Sequence, residues 1–295
     1  RSSDLGLALS DAAGSNNLLC RYAADWLKLT PAFGIHGYHP VSRPVEGNVW
    51  GAPIGRGSFK NCVSKAARAY RDLRSISTNS SGTVVCQNAA NLDLEDSSVD
   101  AVFTAPPYFD NLDYADLSDF YYQWLKLCLP GHPWFTSNSA RMDGDLSMLV
   151  RADGSFSDGL AAIFKECLRV LKPGGPLVFS YHHSSTRGWW QLLRALQNSG
   201  LVVEEHIVVR SELSNGFHSF PGSIKNDAIF ICAERRHVGD RIERPKVKGW
   251  RGLRKADRSM ATRAAAVETL SWSRHPTSVD ELREVVDKLS LLYSK

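Results

Sequence analysis

The chain has 295 residues, of which 43% are hydrophobic, and this is enough to bury a core of domain size. Its formal net charge of +4 permits a polyanionic partner without requiring one. Six scattered cysteines form no Cys-x-x-Cys pair, which argues against a zinc ribbon or a disulfide framework, and no apolar run is long enough to span a bilayer. We therefore expect a cytoplasmic globular protein with no membrane segment and no metal.

The first 80 residues predict a helical N-terminal segment. Between residues 5 and 29 apolar residues recur mostly at helical spacing, and Pro31 ends that pattern. Residues 31–57 are rich in Gly and Pro and predict irregular structure. A second helix is expected to begin near Ser58, which can accept a hydrogen bond from the backbone N–H of Asn61.

Residues 81–236 show the alternation of strands and helices typical of an α/β core. Short strands are predicted at 83–86 and 99–104, both in central positions of a sheet. The later elements are helices at 116–129, 157–171 and 189–199 and strands at 176–181, 201–209 and 227–233. Because the loop before the last strand is too short for a helical crossover, the last two strands should pair antiparallel. The prediction is a mostly parallel sheet with a terminal antiparallel pair.

Residues 237–295 predict a basic linker and C-terminal helices. The part from 237 to 263 is rich in Arg and Lys and poor in large apolar residues, and an amphipathic helix is expected at 278–293. His36 and His39 have the spacing of a metal pair, but no third ligand is near them in the sequence.

The segment with the most specific chemistry follows the strand predicted at 99–104. It reads Thr104-Ala105-Pro106-Pro107-Tyr108-Phe109-Asp110 and lies at the carboxyl end of that strand, where open α/β sheets bind ligands. Two consecutive prolines fix φ and remove two N–H donors, so their carbonyl groups are oriented acceptors. Such acceptors suit an exocyclic base amine, because hydrogen bonds from its protons localise the nitrogen lone pair as charge develops. The ring of Tyr108 can stack on a flipped-out base.

The run APPYFDNLDYADLSDFYYQWL, residues 105–125, resembles the large adenine-specific DNA methylase family. These are amino-methyltransferases with an (Asp/Asn/Ser)-Pro-Pro-(Tyr/Phe) motif, and the similarity extends upstream through 48–50 and 55–61 and downstream to about Arg235. The resemblance implies a Rossmann-like class I methyltransferase fold, S-adenosyl-L-methionine as the cofactor and DNA as the partner. The implied reaction is methylation of adenine N6.

The resemblance also implies three groups of site residues. The catalytic group is the turn Ala105, Pro106, Pro107, Tyr108 and Asp110. The cofactor's adenine ring is expected against a small-residue turn and the end of the preceding strand, at Asn88, Ala89, Ala90 and Thr104. Contacts with the base and the DNA are expected from Asp113, Tyr114, His182, Arg210 and Asn215. An ordinary turn at 88–90 and a helix N-terminus at Tyr114 explain those residues equally well.

Two departures from the family pattern bear on activity. Ala105 stands where the family has an acidic or amide residue; the lost hydrogen bond, ~1.5–3 kcal/mol, should slow the reaction about ten- to a hundredfold unless Asp110 or Asp113 substitutes. No Asp-Pro-Phe-x-Gly-x-Gly loop is found, and Gly55-Arg56-Gly57 has no apolar strand before it. We therefore expect the glycine loop on a segment preceding Arg1 or on a partner subunit.

Three alternatives remain open from the sequence. The same pocket chemistry serves cytosine N4 in DNA, and methyltransferases of the guanine amine in transfer RNA use a similar turn. A chain with Ala105 and no glycine loop could also be an inactive remnant that binds nucleic acid or a partner. The basic residues of 237–263 could neutralise phosphates, although a solvated linker explains them more simply.

Overall fold

The computed structural model describes residues 2–24, 27–33, 41, 43–45, 47–51, 57–76, 82–110, 114–141, 155–210, 226–235, 255–273 and 275–293. The chain divides into two compact units. The first comprises Arg1–Val85 with Asp113–Asp145, and the second comprises Cys86–Leu112 with Leu146–Lys295. None of the described helices is long and apolar enough to cross a membrane.

The described residues of the first unit form three helices and a short hairpin. The helices are α1 (Ser2–Ala13), α2 (Phe59–Ile76) and α3 (Tyr114–Cys128), and the hairpin pairs β1 (Arg21–Ala23) with β2 (Lys28–Thr30) antiparallel. The buried residues Ala8 and Ala12 of α1 pack with Cys62 of α2. The helix α2 confirms the helix predicted to begin near Ser58, and α3 confirms the helix predicted at 116–129.

The prediction of helical structure over residues 5–29 is wrong beyond Ala13. Two asparagine side chains donate to the last carbonyls of α1, Asn16 to Ala12 and Asn17 to Ala13, each at 2.7 Å. Side-chain amides that satisfy terminal carbonyls end a helix, and the chain then turns into the hairpin.

The second unit is α/β and contains a mixed four-stranded sheet. Its strands are β3 (Val102–Thr104), β4 (Leu177–Tyr181), β5 (Leu201–Arg210) and β6 (Asn226–Glu234), in the lateral order β3-β4-β6-β5. The β3–β4 pair is parallel and β6 is antiparallel to both of its neighbours. The predicted antiparallel pairing of the last two strands is therefore confirmed, and β3, β4 and β5 all point the same way.

One face of this sheet is covered by helices. The helices α4 (Ser155–Val170) and α5 (Thr186–Ser199) contribute fully buried side chains to one core with the inward residues of β4 and β6. Ser185 caps α5, where its hydroxyl accepts from the Gly188 N–H, and Gly200 ends the helix at φ 84°. The Gly200 cap confirms the predicted C-terminal end of α5, whereas the helix begins at Thr186, three residues before the predicted start.

The strand β3 is an edge strand, which corrects the prediction of a central, buried strand. The Val102 N–H donates to the Pro176 carbonyl on the β4 side, so the backbone groups of Phe103 face outward. No strand among the described residues pairs with this outer edge, and Phe103 is 76% exposed. The strand predicted at 83–86 is also wrong, because this segment is exposed and joins no ladder of the described sheet.

Two C-terminal helices pack into the second unit. The helix α6 (Lys255–Ser271) buries Ala261, Ala264 and Ala265 completely, and α7 (Val279–Tyr293) confirms the predicted terminal helix. The linker predicted at 237–263 is therefore wrong from Lys255 onward, while residues 236–254 lie outside the described range. The linker was predicted because large apolar residues are scarce in this segment, whereas α6 packs largely through alanines.

The position of α7 predicts a difference between two leucines of the same helix. Leu282 is fully buried in the core of the second unit, whereas Leu291 is 71% exposed. Leu282→Ala should lower the free energy of unfolding by ~2–5 kcal/mol, because it removes buried methyl groups and leaves a cavity. Leu291→Ala should stay within ~0.5 kcal/mol of the parent in urea denaturation. Equal effects would show that α7 is not part of this core.

Candidate functional site

The candidate site is the carboxyl edge of the sheet in the second unit. The parallel strands β3 and β4 both end there, and β6 begins there because it runs antiparallel. The register Tyr181↔Ala228 continues by one position, so Asp227 lies opposite His182. Three separate segments of the chain are therefore brought together at this edge, namely 104–110, 180–183 and 226–227.

The turn from Ala105 to Asp110 is tightly constrained. Pro106 is buried, and Phe109 has φ of 38°, a left-handed conformation that a bulky residue rarely adopts. The Phe109 side chain is only 4% exposed and lies edge-on to Phe156, with ring centroids 5.3 Å apart. Packing of this ring holds the unfavourable backbone conformation two residues after Pro107.

The carbonyl groups of this turn are not used by the part of the chain that the structure describes. Among the described residues, none donates a hydrogen bond to the carbonyls of Ala105, Pro106 or Pro107. Ala105 itself is exposed. These groups can therefore accept hydrogen bonds from a ligand, as the sequence predicts.

The ring of Tyr108 is held on three sides. Its hydroxyl lies 3.0 Å from the Ser180 hydroxyl, Tyr181 meets it edge-on at 5.6 Å, and the His182 ring is tilted against it at 4.2 Å. Burial raises the pKa of Tyr108, and the nearby Asp227 carboxylate raises it further against the opposing hydrogen bond from Ser180. Tyr108 is thus a fixed, neutral aromatic surface at the sheet edge.

His182 is oriented by a carboxylate. Its Nδ1 lies 2.5 Å from Asp227 Oδ1, and both side chains are largely buried. A carboxylate accepts hydrogen bonds, so it favours the proton on Nδ1 and fixes the plane of the ring. Since this ring packs against Tyr108, Asp227 positions the tyrosine through His182.

His183 connects the proline turn to the start of α5. Its side chain is 4% exposed, its Nε2 lies 2.7 Å from Asp110 Oδ1, and its Nδ1 accepts from the Ser185 N–H at 3.0 Å. Because a backbone N–H only donates, the neutral imidazole carries its proton on Nε2 and donates it to Asp110. One oxygen of Asp110 is therefore occupied in holding the turn. This weakens the prediction that Asp110 supplies the hydrogen-bond acceptor that Ala105 lacks.

Close packing against Gly188 predicts an unusual effect of alanine. A Cβ at Gly188 would lie 2.2 Å from Cγ of the His183 ring. Gly188→Ala should therefore destabilise the protein by ~1–3 kcal/mol, although alanine normally favours a helix by about 1 kcal/mol.

The matched test of this contact is a double-mutant cycle measured by thermal unfolding. In a His183→Ala background the clash is gone, so Gly188→Ala should be neutral or stabilising there. Destabilisation of the same size in both backgrounds would contradict the proposed contact between Gly188 and the imidazole.

The predicted cofactor turn is anchored to α4. The Leu92 N–H donates to Glu166 at 2.7 Å, and Arg169 donates to the carbonyls of Leu92 and Leu94 at 3.0 and 2.8 Å. The Arg169 guanidinium and the Leu92 N–H lower the pKa of Glu166 to about 2. A charged pair on α4 thus fixes the segment that follows Asn88-Ala89-Ala90.

This lowered pKa predicts an acid-dependent contribution to stability. A carboxyl whose pKa is lower in the folded state stabilises the fold above its unfolded value of 4.5, and this contribution is lost as the pH falls toward 2. Glu166→Gln should therefore be less stable than the parent at pH 7, with the difference shrinking below pH 4.5 in urea denaturation. A difference that does not vary with pH would show that charge is not involved.

The four predicted cofactor residues, Asn88, Ala89, Ala90 and Thr104, do not line the cavity that the described residues form. Asn88 and Ala89 are exposed, and the Ala90 N–H is already satisfied by the Asn88 side chain at 2.9 Å. Thr104 is half-buried at the end of β3. A cavity of about 210 Å³ exists at the other end of the sheet, where residues 171–175 lead into β4 and Glu234 ends β6. It is therefore remote from the proline turn.

The remaining predicted residues are not assembled by the described structure. Asp113 and Asn215 lie outside the described residues, as do His36 and His39, and Tyr114 begins α3 in the first unit. Arg210 is exposed at the end of β5, beside the start of β6. Within the described ranges, no cluster of three or more His, Cys, Asp or Glu side chains could hold a metal ion.

Sequence reasoning missed Ser180 and Asp227, which support the site, and did not predict the partner of His183. Ser180, His183 and Asp227 are brought to Tyr108 and Asp110 by strand register, which a single sequence does not reveal. The only signal was the position of His182-His183 directly after a predicted strand.

Comparison with known proteins gives no relative for this chain. No family model, no curated protein and no solved structure matches it.

Proposed function

We propose that this chain supplies the base-binding half of an S-adenosylmethionine-dependent methyltransferase that modifies adenine N6 in DNA. The observation that carries the proposal is the Pro106-Pro107-Tyr108 turn at the carboxyl end of β3. Its carbonyls accept no hydrogen bond from the described residues, and the Tyr108 ring is fixed beside them.

The strand arrangement supports a Rossmann-like methyltransferase fold. Three strands of the described sheet point the same way, and the antiparallel β6 is inserted between β4 and β5. Ligands of open α/β sheets bind outside the carboxyl ends of the strands, which is where the proline turn lies. The first half of such a fold, with its glycine loop, is not represented among these strands.

The chemistry assigned to this chain concerns the target amine. In this proposal a flipped base stacks on the face of Tyr108 opposite the His182 ring, while backbone carbonyls of the turn accept the amine protons. These acceptors stabilise the positively charged nitrogen of the transition state more strongly than the neutral amine of the ground state. They therefore lower the activation free energy. S-Adenosylmethionine supplies the methyl group, and no contact to it is assigned to the described residues.

Substitution of Tyr108 tests the stacking role. Stacking of a base on an aromatic ring is worth ~1–3 kcal/mol, so Tyr108→Ala should lower kcat/KM for methyl transfer by roughly five- to 150-fold. Tyr108→Phe keeps the ring and loses only the Ser180 contact, so it should cost about tenfold or less. Tyr22→Ala, an exposed tyrosine of β1, is the matched control and should not change the rate.

The assay is transfer of tritiated methyl groups from S-adenosylmethionine, followed by nucleoside analysis. N6-methyladenine in DNA supports the proposal, N4-methylcytosine changes the target base, and label in guanine of transfer RNA changes the substrate. Unequal effects of Tyr108→Ala and Tyr22→Ala are required for the site assignment.

A second candidate is a subunit that binds nucleic acid without catalysis. It is favoured by Ala105, whose exposed methyl group offers no acceptor, and by the outer edge of β3, which no described strand covers. Calorimetry with S-adenosylmethionine on the 295-residue chain tests this second candidate. Micromolar binding rules out the inert subunit, and retained DNA affinity without any effect of Tyr108→Ala on methyl transfer supports it.

A further inference from the structure

We propose that the solvent face of α2 binds the phosphate backbone of duplex DNA. Four of the basic residues of this helix lie on one side of it and are called here the basic face: Lys60, Arg68, Arg71 and Arg74. The inference rests on the proposed function for the identity of the polyanion, which is DNA. It assigns the contact with the DNA phosphates to the first unit and not to the proline turn.

Helical geometry places these cations together. At about 100° per residue, Lys60, Arg68, Arg71 and Arg74 fall within an arc of about 120°, and this arc contains no acidic residue. The other positions in the arc are small: Ser64, Ala67 and Ser75. Small side chains between cations allow a phosphate backbone to approach the helix surface closely.

The cations are exposed and are not used within the described structure. All four are exposed, and none of them forms an ion pair with another described residue. The fifth cation of the helix differs, because Lys65 pairs with Asp11 of α1 at 2.6 Å. Lys65 and Asp72 lie outside the arc. The internal ion pair is thus on the flank of α2, and the basic face is left to solvent.

The N-terminal part of α2 packs against α1 through the side opposite the basic face. Cys62 is buried against Ala8 and Ala12 of α1, with Phe59 and Val63 packed beside them. The basic face therefore points away from the helix that anchors α2. Farther along that side Leu73 and Ile76 are exposed. A helix with a basic face and exposed apolar residues can also bind a lipid surface, so anionic vesicles are included in the test below.

The dimensions of the basic face suit a DNA backbone. Lys60 and Arg74 are separated by about 21 Å along the helix axis, and duplex DNA carries one charge per about 1.7 Å of its axis. Several phosphates therefore fall within reach of these four long side chains. Contacts of this kind set the position of the protein on the duplex and carry no sequence information.

The test is the salt dependence of DNA binding by the full chain. Fluorescence anisotropy with a labelled 20-base-pair duplex is measured at several NaCl concentrations, for the parent and for Lys60→Gln/Arg68→Gln/Arg71→Gln/Arg74→Gln. Each lost phosphate contact should lower the slope of log K against log [salt] by about 0.9, so the fourfold variant should lose about 3–4 in slope. Its affinity at 0.15 M salt should fall at least tenfold.

Two control variants distinguish the location of the substituted cations from the change in net charge of the protein. Lys165→Gln/Lys172→Gln/Arg283→Gln/Lys288→Gln removes the same formal charge from exposed cations of the second unit and should change the slope by less than one contact, about 0.9. Arg68→Lys/Arg71→Lys/Arg74→Lys keeps the charge of the basic face and should retain binding. Circular dichroism spectra of all variants should match the parent, because every substituted side chain is exposed.

Several results would overturn the inference. An equal loss of slope in both fourfold variants would show a general charge effect without a defined surface. Binding of phosphatidylserine vesicles, or of double-stranded RNA, in preference to the DNA duplex would assign the basic face to another partner. The assay requires no methyl transfer, so intact, salt-dependent DNA binding leaves this inference standing even where Tyr108→Ala and Tyr22→Ala have equal effects on methyl transfer, a result that contradicts the proposed function.

Discussion

The geometry of the candidate site depends on the contacts of the buried His183 imidazole. It accepts the Ser185 N–H at one nitrogen, donates to Asp110 with the other, and packs directly on Gly188. The ring therefore joins the proline turn, the end of β4 and the first turn of α5. Because its two ring nitrogens contact different segments of the chain, the orientation of this buried imidazole is fixed.

A second constraint is the antiparallel strand β6 inside an otherwise parallel arrangement. Its reversed direction brings its first residues, rather than its last, to the edge where β3 and β4 end. Asp227 consequently faces His182, and His182 in turn supports the Tyr108 ring. Two His–carboxylate pairs thus hold the two ends of one turn, Tyr108 through His182 and Asp110 through His183.

The sequence predicted the elements that have their own local signals. The helices α4, α5 and α7 have clear apolar periodicity or terminal glycines, and the turn after β3 was identified from two prolines and a tyrosine. The predictions that failed depended on neighbours. An apolar stretch at 83–86 forms no strand because no described strand pairs with it, and the alanine-rich α6 packs well despite having few large side chains. The partners of His182 and His183 depend on strand register, which propensity and spacing do not contain.

The central claim is that the proline turn receives a base from DNA, and photocrosslinking tests it most directly. A duplex that carries 8-azidoadenine is irradiated in complex with the full chain, and the modified residues are identified by mass spectrometry. The account predicts adducts within residues 105–110 or 180–183 that disappear in the Tyr108→Ala variant. Adducts that occur only elsewhere on the chain, unchanged by that substitution, would contradict it.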